Sequence, residues 1–419
     1  MPNINDKIAI IGFGASGFGT YLGLKDKGFK NIYIYDHKPL KKKIEIDKWT
    51  NKNLEKNYKL LKKELGFNTA NSKTYYGNIL QILTEGNNKI YDNRMGSGLL
   101  NFWGGVLQKF DPKTLNLCLK INNLDDYYSK ISKNISISQV VNKSSKQNMY
   151  SNQKNIICNK YVEEISESIA DSSSEVIKKD TILAISQDKT HENCNCFIGC
   201  LKHKFFKTTY LDLDKNVTFM NEIVNKIDFE KRKIISNYSS QTFDKIFLNT
   251  GPYYDQKILL ESLEKKQVSI KIKDSTSFTF PIFYKGKLKD NKVDFSLTNC
   301  VFSIMHDKNI LGHAQVYPPI DHLNKSIFPT FLWNQLGFVK NLSINRLLWV
   351  RCYLNDEYAQ IKEFKNELKI ENSKTNKIKF AQKKFFEIFK KNFQNKNFLD
   401  INFLINSKTS SHYSGVSNH

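Results

Sequence analysis

Three glycines and one acidic residue near the amino terminus have the spacing of a site that holds a dinucleotide. The glycines follow the pattern Gly12-x-Gly14-x-x-Gly17, and Asp36 stands one helix and one strand further along. Gly12 allows a tight turn, Gly14 lets a diphosphate approach the backbone, and Gly17 lets a helix pack closely on a sheet. A carboxylate at Asp36 can accept hydrogen bonds from ribose hydroxyls. These residues predict nucleotide binding, and a glycine-rich turn that binds nothing is the alternative.

The elements that must position these residues follow from the hydrophobic pattern around them. Residues 7–11 form an apolar run that predicts a buried strand, and helical spacing continues from the glycines to Gly28. A second apolar strand over 31–35 leads directly to Asp36. This order predicts a βαβ unit in which the amino terminus of the helix holds the diphosphate.

A second glycine-rich stretch, over residues 93–105, has a composition that suits a flat ligand. Four glycines stand there among small and aromatic residues, so the backbone can lie against a ring system. Trp103 would be a neighbour of that ring and Asn101 a polar contact. A plain tight turn explains the same composition, and both interpretations stay open here.

From residue 216 onward the pattern favours β-structure. Segments over 217–229, 233–238 and 243–252 predict a β-meander and then a buried strand that ends in Thr250-Gly251. A helix over 256–263 follows, as a right-handed crossover requires.

The second half of the chain predicts a different kind of layer. Alternating segments over 267–318 predict an antiparallel sheet that forms the floor of a substrate domain. Residues 340–370 predict long helices through Leu347, Leu348, Val350 and Tyr353. Residues 138–180 are rich in Ser, Asn and Lys, which predicts a peripheral or poorly ordered insertion.

Together these patterns predict an α/β fold with an α+β second part, in which a Rossmann-like domain with a β-meander is joined to a discontinuous substrate domain. The predicted divisions are 1–135 with 181–265 for the nucleotide domain, 136–180 for the insertion, 266–405 for the substrate domain and 406–419 for a carboxyl-terminal segment that contains a histidine.

Two further groups of residues could carry chemistry. Cys194, Cys196 and Cys200 lie close together, but their spacing lacks the paired knuckles of a zinc site. Buried thiols are therefore favoured over structural metal or a redox pair, and no metal is predicted. His412 lies among small residues near the end of the chain, where it is either an exposed histidine or a base.

Composition limits the class of protein. The chain has 419 residues, a net charge of +23 and seven irregularly spaced cysteines. Scattered lysines indicate solvated faces, so nucleic acid is not favoured as a partner. The sequence has no apolar run of transmembrane length, and its first strand begins too early to leave room for a signal peptide, which predicts a cytoplasmic protein. Residues 377–393 predict a basic amphipathic helix that packs on the core, with peripheral membrane contact as the alternative.

Several of these stretches together resemble the glucose–methanol–choline family of FAD-dependent oxidoreductases, and especially a divergent bacterial branch associated with surface-polysaccharide biosynthesis. The stretch 96–105 is the most specific part of this resemblance. The other parts, in the same order as in the family, are the glycine pattern with Asp36 and the segments 125–128, 196–200, 247–252 and 411–415.

The resemblance implies FAD as cofactor and hydride transfer to the flavin from a CH–OH group of a sugar, polyol or glycan precursor. His412 matches the family's carboxyl-terminal histidine, which implies a base in alcohol oxidation. The other implied roles are Gly12, Gly14, Ser16 and Gly17 at the diphosphate, Asp36 at the adenosine ribose, Gly96, Ser97, Gly98, Asn101, Trp103, Gly104 and Gly105 along the isoalloxazine, and Thr250 and Gly251 near the adenine half.

The chain departs from the family in three places. Asp36 replaces the usual Glu, Gly96-Ser97 replaces a Gly-Gly pair, and the chain ends at His419, where the family continues into a segment that returns to the flavin. A non-catalytic or degenerate member that binds a nucleotide is therefore an alternative. An NAD-dependent dehydrogenase is another, although the meander and return strand argue against it. The electron acceptor has no signature in the sequence.

Overall fold

The protein is described here by a computed structural model. It describes residues 3–36, 81–85, 88–92, 100, 105–108, 123–142, 154–170, 174–187, 203–205, 208, 213–264, 270–286, 295, 297–319, 346–355, 360–364, 368–370, 375–392, 398–400, 405–406 and 413–415.

The helices in this part of the chain are α1 (Ala15–Asp26), α2 (Leu124–Asn134), α3 (Lys160–Ala170), α4 (Pro252–Ser262) and α5 (Thr375–Asn392). The strands are β1 (Ile8–Ile11), β2 (Ile32–Tyr35), β3 (Gln81–Glu85), β4 (Asn88–Asp92), β5 (Val106–Leu107), β6 (Ser138–Val141), β7 (Lys154–Ile157), β8 (Val176–Lys179), β9 (Thr181–Leu183), β10 (Ile185–Gln187), β11 (His203–Phe205), β12 (Val217–Met220), β13 (Val224–Asp228), β14 (Lys233–Ser236), β15 (Ser240–Thr242), β16 (Lys245–Leu248), β17 (Ile270–Asp274), β18 (Ser277–Tyr284), β19 (Cys300–His306), β20 (Asn309–Tyr317), β21 (Leu347–Leu354), β22 (Gln360–Phe364), β23 (Leu368–Ile370), β24 (Phe398–Asp400), β25 (Ile405–Asn406) and β26 (Tyr413–Gly415).

A four-stranded parallel sheet carries the amino-terminal glycines. Its strand order is β12-β2-β1-β16, and β1 pairs in parallel with both β2 and β16. All four residues of β1 are buried, as expected for a central strand with both faces covered. The predicted βαβ unit is confirmed.

The predicted meander is confirmed with one change at its start. Strands β13, β14 and β15 form an antiparallel sheet, and β16 then returns to the parallel sheet beside β1. The predicted segment 217–229 divides into two strands. The first, β12, joins the parallel sheet next to β2, because polar Asn221 and Glu222 interrupt its apolar run.

A large antiparallel sheet confirms the second predicted layer. Its order is β24-β18-β21-β20-β19-β8, and β25 also pairs with β18. One face of the central strands packs against α3 and α5 in the largest hydrophobic cluster of the described residues. A smaller sheet, β23-β22-β17-β26, lies beside α4.

The long helices predicted over 340–370 are wrong for the described residues, which form β21, β22 and β23. Leu347, Leu348 and Val350 lie in β21 and are all buried. The first four residues of β21 are all apolar and buried, so this stretch lacks the alternation that distinguishes a strand from a buried helix.

The peripheral or poorly ordered character predicted for residues 138–180 is wrong where the structure describes them. Residues 160–170 form α3, and Tyr161, Val162 and Ile165 of this helix are buried in the main core. The average composition of the whole stretch is polar, and it therefore did not indicate the short amphipathic helix within it. The domain boundaries, including those of 136–180, stay a prediction.

The amphipathic helix predicted over 377–393 is confirmed as α5. Its apolar side packs on the antiparallel sheet through Phe385 and Phe389, whose rings meet Phe278 and Phe302 edge-on. A membrane contact would therefore have to use the opposite, lysine-rich side. None of the helices described in the chain is long and apolar enough to cross a membrane.

A pair of phenylalanines on α5 tests this packing. Phe385 is fully buried, whereas Phe380 is 59% exposed. We expect Phe385→Ala to lower the free energy of unfolding by about 3–5 kcal/mol, through lost burial and the cavity left behind. Phe380→Ala should change it by no more than about 0.5 kcal/mol. Urea denaturation measures both, and equal effects would contradict the assigned face.

Candidate dinucleotide-binding site

The glycine loop owes its shape to close backbone contacts that leave no room for side chains. Gly12 has φ of +89°, and a Cβ there would stand 2.5 Å from the carbonyl oxygen of Asn249. A Cβ on Gly17 would stand 2.0 Å from the carbonyl oxygen of Gly12. The two glycines therefore let the loop lie directly against the end of β16 and let α1 lie directly against the loop.

The amino terminus of α1 has the features of an anion site. The helix begins at Ala15 with Gly14 as its N-cap; no side chain caps it, and its first turn contains no acidic residue. The first N–H groups of a helix lack intrahelical acceptors, and they lie at the positive end of the helix dipole. A phosphate group placed here would meet donors and a favourable potential.

Asp36 lies at the end of β2 and is bonded to the glycine loop. Its Oδ2 accepts a hydrogen bond of 2.9 Å from the backbone N–H of Phe13, and its own N–H donates to the carbonyl of Met220 at 3.1 Å. The acid thus holds the loop against β2 and β12. The structure therefore shows a positioning contact for Asp36, and a ribose contact stays a prediction.

Asn249 is a site residue that the sequence analysis missed. The Oγ of Ser16 donates to its Oδ1 at 2.5 Å, and the Oγ1 of Thr20 lies 3.2 Å from the same oxygen. The Nδ2 of Asn249 is buried and has no hydrogen-bond partner among the described residues. An amide donor beside the start of α1 suits an acceptor on a ligand, because a buried unpaired donor is costly.

The signal that could have found Asn249 is its place in the chain. It directly precedes Thr250-Gly251 at the end of the predicted return strand, and its backbone N–H donates to the carbonyl of Ile11 at 2.7 Å. Its pairing with Ser16 is nonlocal, so spacing within the first forty residues could not reveal it.

The turn at Thr250-Gly251 is confirmed beside β1 and is held by Asp255. The backbone N–H and the Oγ1 of Thr250 donate to Oδ1 of Asp255 at 2.8 and 2.7 Å. Burial raises the pKa of the Asp255 carboxyl above its usual value. Gly251 has φ of +92°, and a Cβ there would meet nothing within 4 Å, so this side of the turn is open.

The flavin end of the predicted site falls largely outside the described residues. This applies to Gly96, Ser97, Gly98, Asn101, Trp103, Gly104 and His412, and also to Cys194, Cys196 and Cys200. Gly105 is described; it is buried, has φ of +73°, and its carbonyl accepts from Ala184 N at 2.7 Å. Among the described side chains, no group of His, Cys, Asp and Glu could hold a metal ion.

The carboxyl-terminal strand packs beside the helix that follows the turn at Thr250-Gly251. Strand β26 starts at Tyr413, one residue after His412, and pairs antiparallel with β17. Helix α4, which begins directly after Gly251, packs against both β17 and β26.

Three solved oxidoreductase structures share this fold at low sequence identity. Pyridoxine 4-oxidase from Mesorbium loti is 10% identical, with 94% of this chain and 81% of that chain covered and a TM-score of 0.54. A formate oxidase variant from Aspergillus oryzae RIB40, made to study FAD modification, is 9% identical, with the same coverage and TM-score. An FAD-dependent oxidoreductase from Chaetomium thermophilum, bound to a fragment, is 10% identical, with 98% and 89% covered and a TM-score of 0.52.

These similarities establish the fold of the chain. The expected combination of a Rossmann-like sheet, a meander and an antiparallel second sheet is confirmed. No protein-family model matches the sequence, and no curated protein matches it.

The two ends of α1 give a matched test of the close helix–loop contact. Gly17→Ala would push a methyl group into the carbonyl of Gly12, so we expect the free energy of unfolding to fall by about 1–3 kcal/mol or more. Gly23→Ala lies in the same helix with nothing within 4 Å, and should be neutral or stabilise by up to about 1 kcal/mol. Urea denaturation compares them, and equal destabilisation would refute the contact.

Asp255 provides a test of the turn. Asp255→Ala leaves the N–H and hydroxyl of Thr250 without their acceptor and should cost about 1–3 kcal/mol of stability. Asp255→Asn keeps an acceptor oxygen and should cost less.

The same carboxyl makes the stability depend on pH. Because the pKa of Asp255 in the folded protein lies above the unfolded value of 3.8, the native protein loses stability as the pH rises through that interval. The Asn variant should lack this part of the pH dependence, which denaturation between acid and neutral pH can measure.

Proposed function

We propose that the protein is an FAD-dependent oxidoreductase that oxidises a CH–OH group of a sugar, polyol or glycan precursor by hydride transfer to the flavin. The observation that carries this proposal is the loop at the start of α1, where close-packed glycines and the buried amide of Asn249 surround an acid-free helix terminus. The fold shared with solved oxidases supports the choice of FAD over a nicotinamide cofactor.

The residues at this loop fit the diphosphate of a dinucleotide. A side chain at Gly12 or Gly17 would displace backbone, so the loop keeps a bare main-chain surface toward α1. The helix N–H groups and the Nδ2 of Asn249 supply donors. Asp36, at the end of β2 and bonded to the loop, would contact the ribose, because a carboxylate can accept several hydrogen bonds. The open side of Gly251 leaves space near the adenine half.

Bound FAD would supply the acceptor for the hydride. The chain's own work is then to orient the carbinol carbon and to remove the hydroxyl proton. We assign the proton to His412, since a histidine is neutral in part near pH 7 and a positioned base contributes about 10²–10⁴-fold to rate. The pairing of β26 with β17 beside α4 supports this assignment, because it ties the adjoining segment to the nucleotide side of the molecule.

The association with surface-polysaccharide biosynthesis and the cytoplasmic location belong to the same proposal. A nucleotide-binding member without catalysis is the second candidate, and the well-formed diphosphate end favours it as much as it favours an enzyme. The two differ in whether turnover accompanies the bound cofactor.

The decisive test is the visible spectrum of the full-length protein before and after incubation with FAD, followed by dye-linked turnover on a panel of sugars and polyols. We expect a bound flavin spectrum and reduction of the dye. His412→Ala should keep the flavin and lower turnover by at least about 100-fold.

Two controls make this test specific. His419→Ala removes the neighbouring terminal histidine and should leave turnover unchanged. Gly12→Val should lose the flavin, because its side chain would meet the carbonyl of Asn249. A protein that never acquires flavin absorbance would refute the proposal, and flavin without turnover would favour the non-catalytic alternative.

A further inference from the structure

The central strands of the antiparallel sheet have one apolar face and one mixed face, on which polar side chains stand beside the buried Val301 and Trp349. Side chains of β18, β19, β20 and β21 that point to α3 and α5 are apolar and fully buried. The opposite face carries the partly exposed residues of β18, β20 and β21. A sheet that only filled the core would not need this set of polar side chains on its second face, two of which, Ser277 and Ser303, are buried.

Two neighbouring rows make up this polar face. Strand register aligns Ser277, Tyr353, His313 and Ser303 in one row, and Thr279, Arg351, Gln315 and Lys179 in the next, where the buried side chain of β19 stands between Gln315 and Lys179. We call these eight residues the polar face.

The polar face is organised by hydrogen bonds between its members and their neighbours. Ser303 Oγ lies 3.2 Å from Nδ1 of His313. Gln315 Oε1 accepts hydrogen bonds from Thr298 at 3.0 Å and from the hydroxyl of Tyr317 at 3.1 Å. Because both bonds use the oxygen of Gln315, its amide nitrogen is directed elsewhere, with two donors to offer.

The strands of this face contribute cations and no carboxylates. Strands β8, β18, β19, β20 and β21 contain no Asp or Glu, whereas Arg351 pairs in register with Gln315, and Lys179 lies one strand beyond the buried Val301. The guanidinium of Arg351 lies 5.2 Å from the ring of Tyr353, a contact that holds its planar fork in place. Burial and the charge of Lys179 lower the pKa of His313, which is consistent with a cationic surrounding.

The polar face also ends near the nucleotide side of the molecule. Ser277, which opens β18, follows Asp274 of β17 by three residues, a span of about 10 Å at most. Asp274 pairs with Tyr413 of β26, and α4 packs on both of these strands. A substrate on the first row therefore lies on the side of the sheet that adjoins the strand following His412.

We propose that the polar face binds the substrate through an anionic group, so that the substrate is an acidic sugar, such as a sugar carboxylate or a sugar phosphate, and not a neutral polyol. Arg351 would hold the anion with its planar fork, as guanidinium groups hold carboxylates and phosphates. Gln315 and His313 would donate to neighbouring oxygens. This inference rests on the proposed function, because it names the substrate class of the same site.

The experiment measures binding by calorimetry on the FAD-incubated full-length protein, with D-glucuronate, D-glucose 6-phosphate and D-glucose as probes. We expect one of the two anions to bind about 10–100-fold more tightly than glucose, the range that a hydrogen bond to a charged group provides. The anion that binds more tightly distinguishes carboxylate from phosphate.

Variants locate the binding. Arg351→Gln should remove most of the preference for the anion, and Arg351→Lys should keep part of it, because the charge remains without the fork. Lys179→Gln changes an exposed residue and should lower anion affinity several-fold even if variants of Arg351 fail to fold. Lys379→Gln removes the same charge from the exposed side of α5, across the sheet, and should leave the preference unchanged.

The outcomes separate this inference from the proposed function. Equal binding of all three sugars by a flavin-loaded protein overturns the inference and leaves the oxidoreductase proposal intact. Equal losses of anion affinity in the Lys179→Gln and Lys379→Gln variants overturn the inference as well. An Arg351-dependent preference for an anion in a protein without flavin supports the polar face as an anion site and refutes the oxidoreductase.

Discussion

The contact between the glycine loop, the first helix and the end of β16 is the constraint on which the nucleotide half depends. Gly12 and Gly17 let three stretches of backbone approach closer than any side chain would allow. The same contact brings Asn249 beside Ser16 and fixes the Thr250-Gly251 turn next to β1. Nothing larger than glycine can be accommodated, so the ligand surface at this point consists of main-chain groups and one amide.

The two sheets divide the work between them. In the parallel sheet β1 is covered on both faces, and the chemistry lies where its strands end. In the antiparallel sheet α3 and α5 cover one face, and the other carries polar groups beside the buried Val301 and Trp349. The hydrophobic core of the second half therefore supports the sheet from one side. The rings of Phe278, Phe280 and Phe302 pack edge-on against phenylalanines of α5.

The sequence predicts those parts of the fold that depend on local spacing. The glycine pattern, Asp36 and the Thr250-Gly251 strand are each set within a few residues, and each was found in the expected element. The Ser16–Asn249 bond joins residues more than 200 positions apart, and no local pattern encodes it. The predictions for strand β21 and helix α3 were wrong because both elements are stabilised by burial in the core. Burial is visible in the sequence only indirectly, and the periodicity of these segments did not indicate it. The flavin end rests on a family resemblance, since its residues are outside the described part of the chain.

The position of β16 in the parallel sheet has a consequence for how the protein is made. During synthesis β1 and β2 emerge first and can pair at once, but the other edge of β1 stays open until residues 245–248 have left the ribosome. An uncovered apolar strand edge is a template for pairing with other chains. The nucleotide site therefore matures only after more than half of the polypeptide exists, and the intervening segments have to fold, or be shielded, around an incomplete sheet.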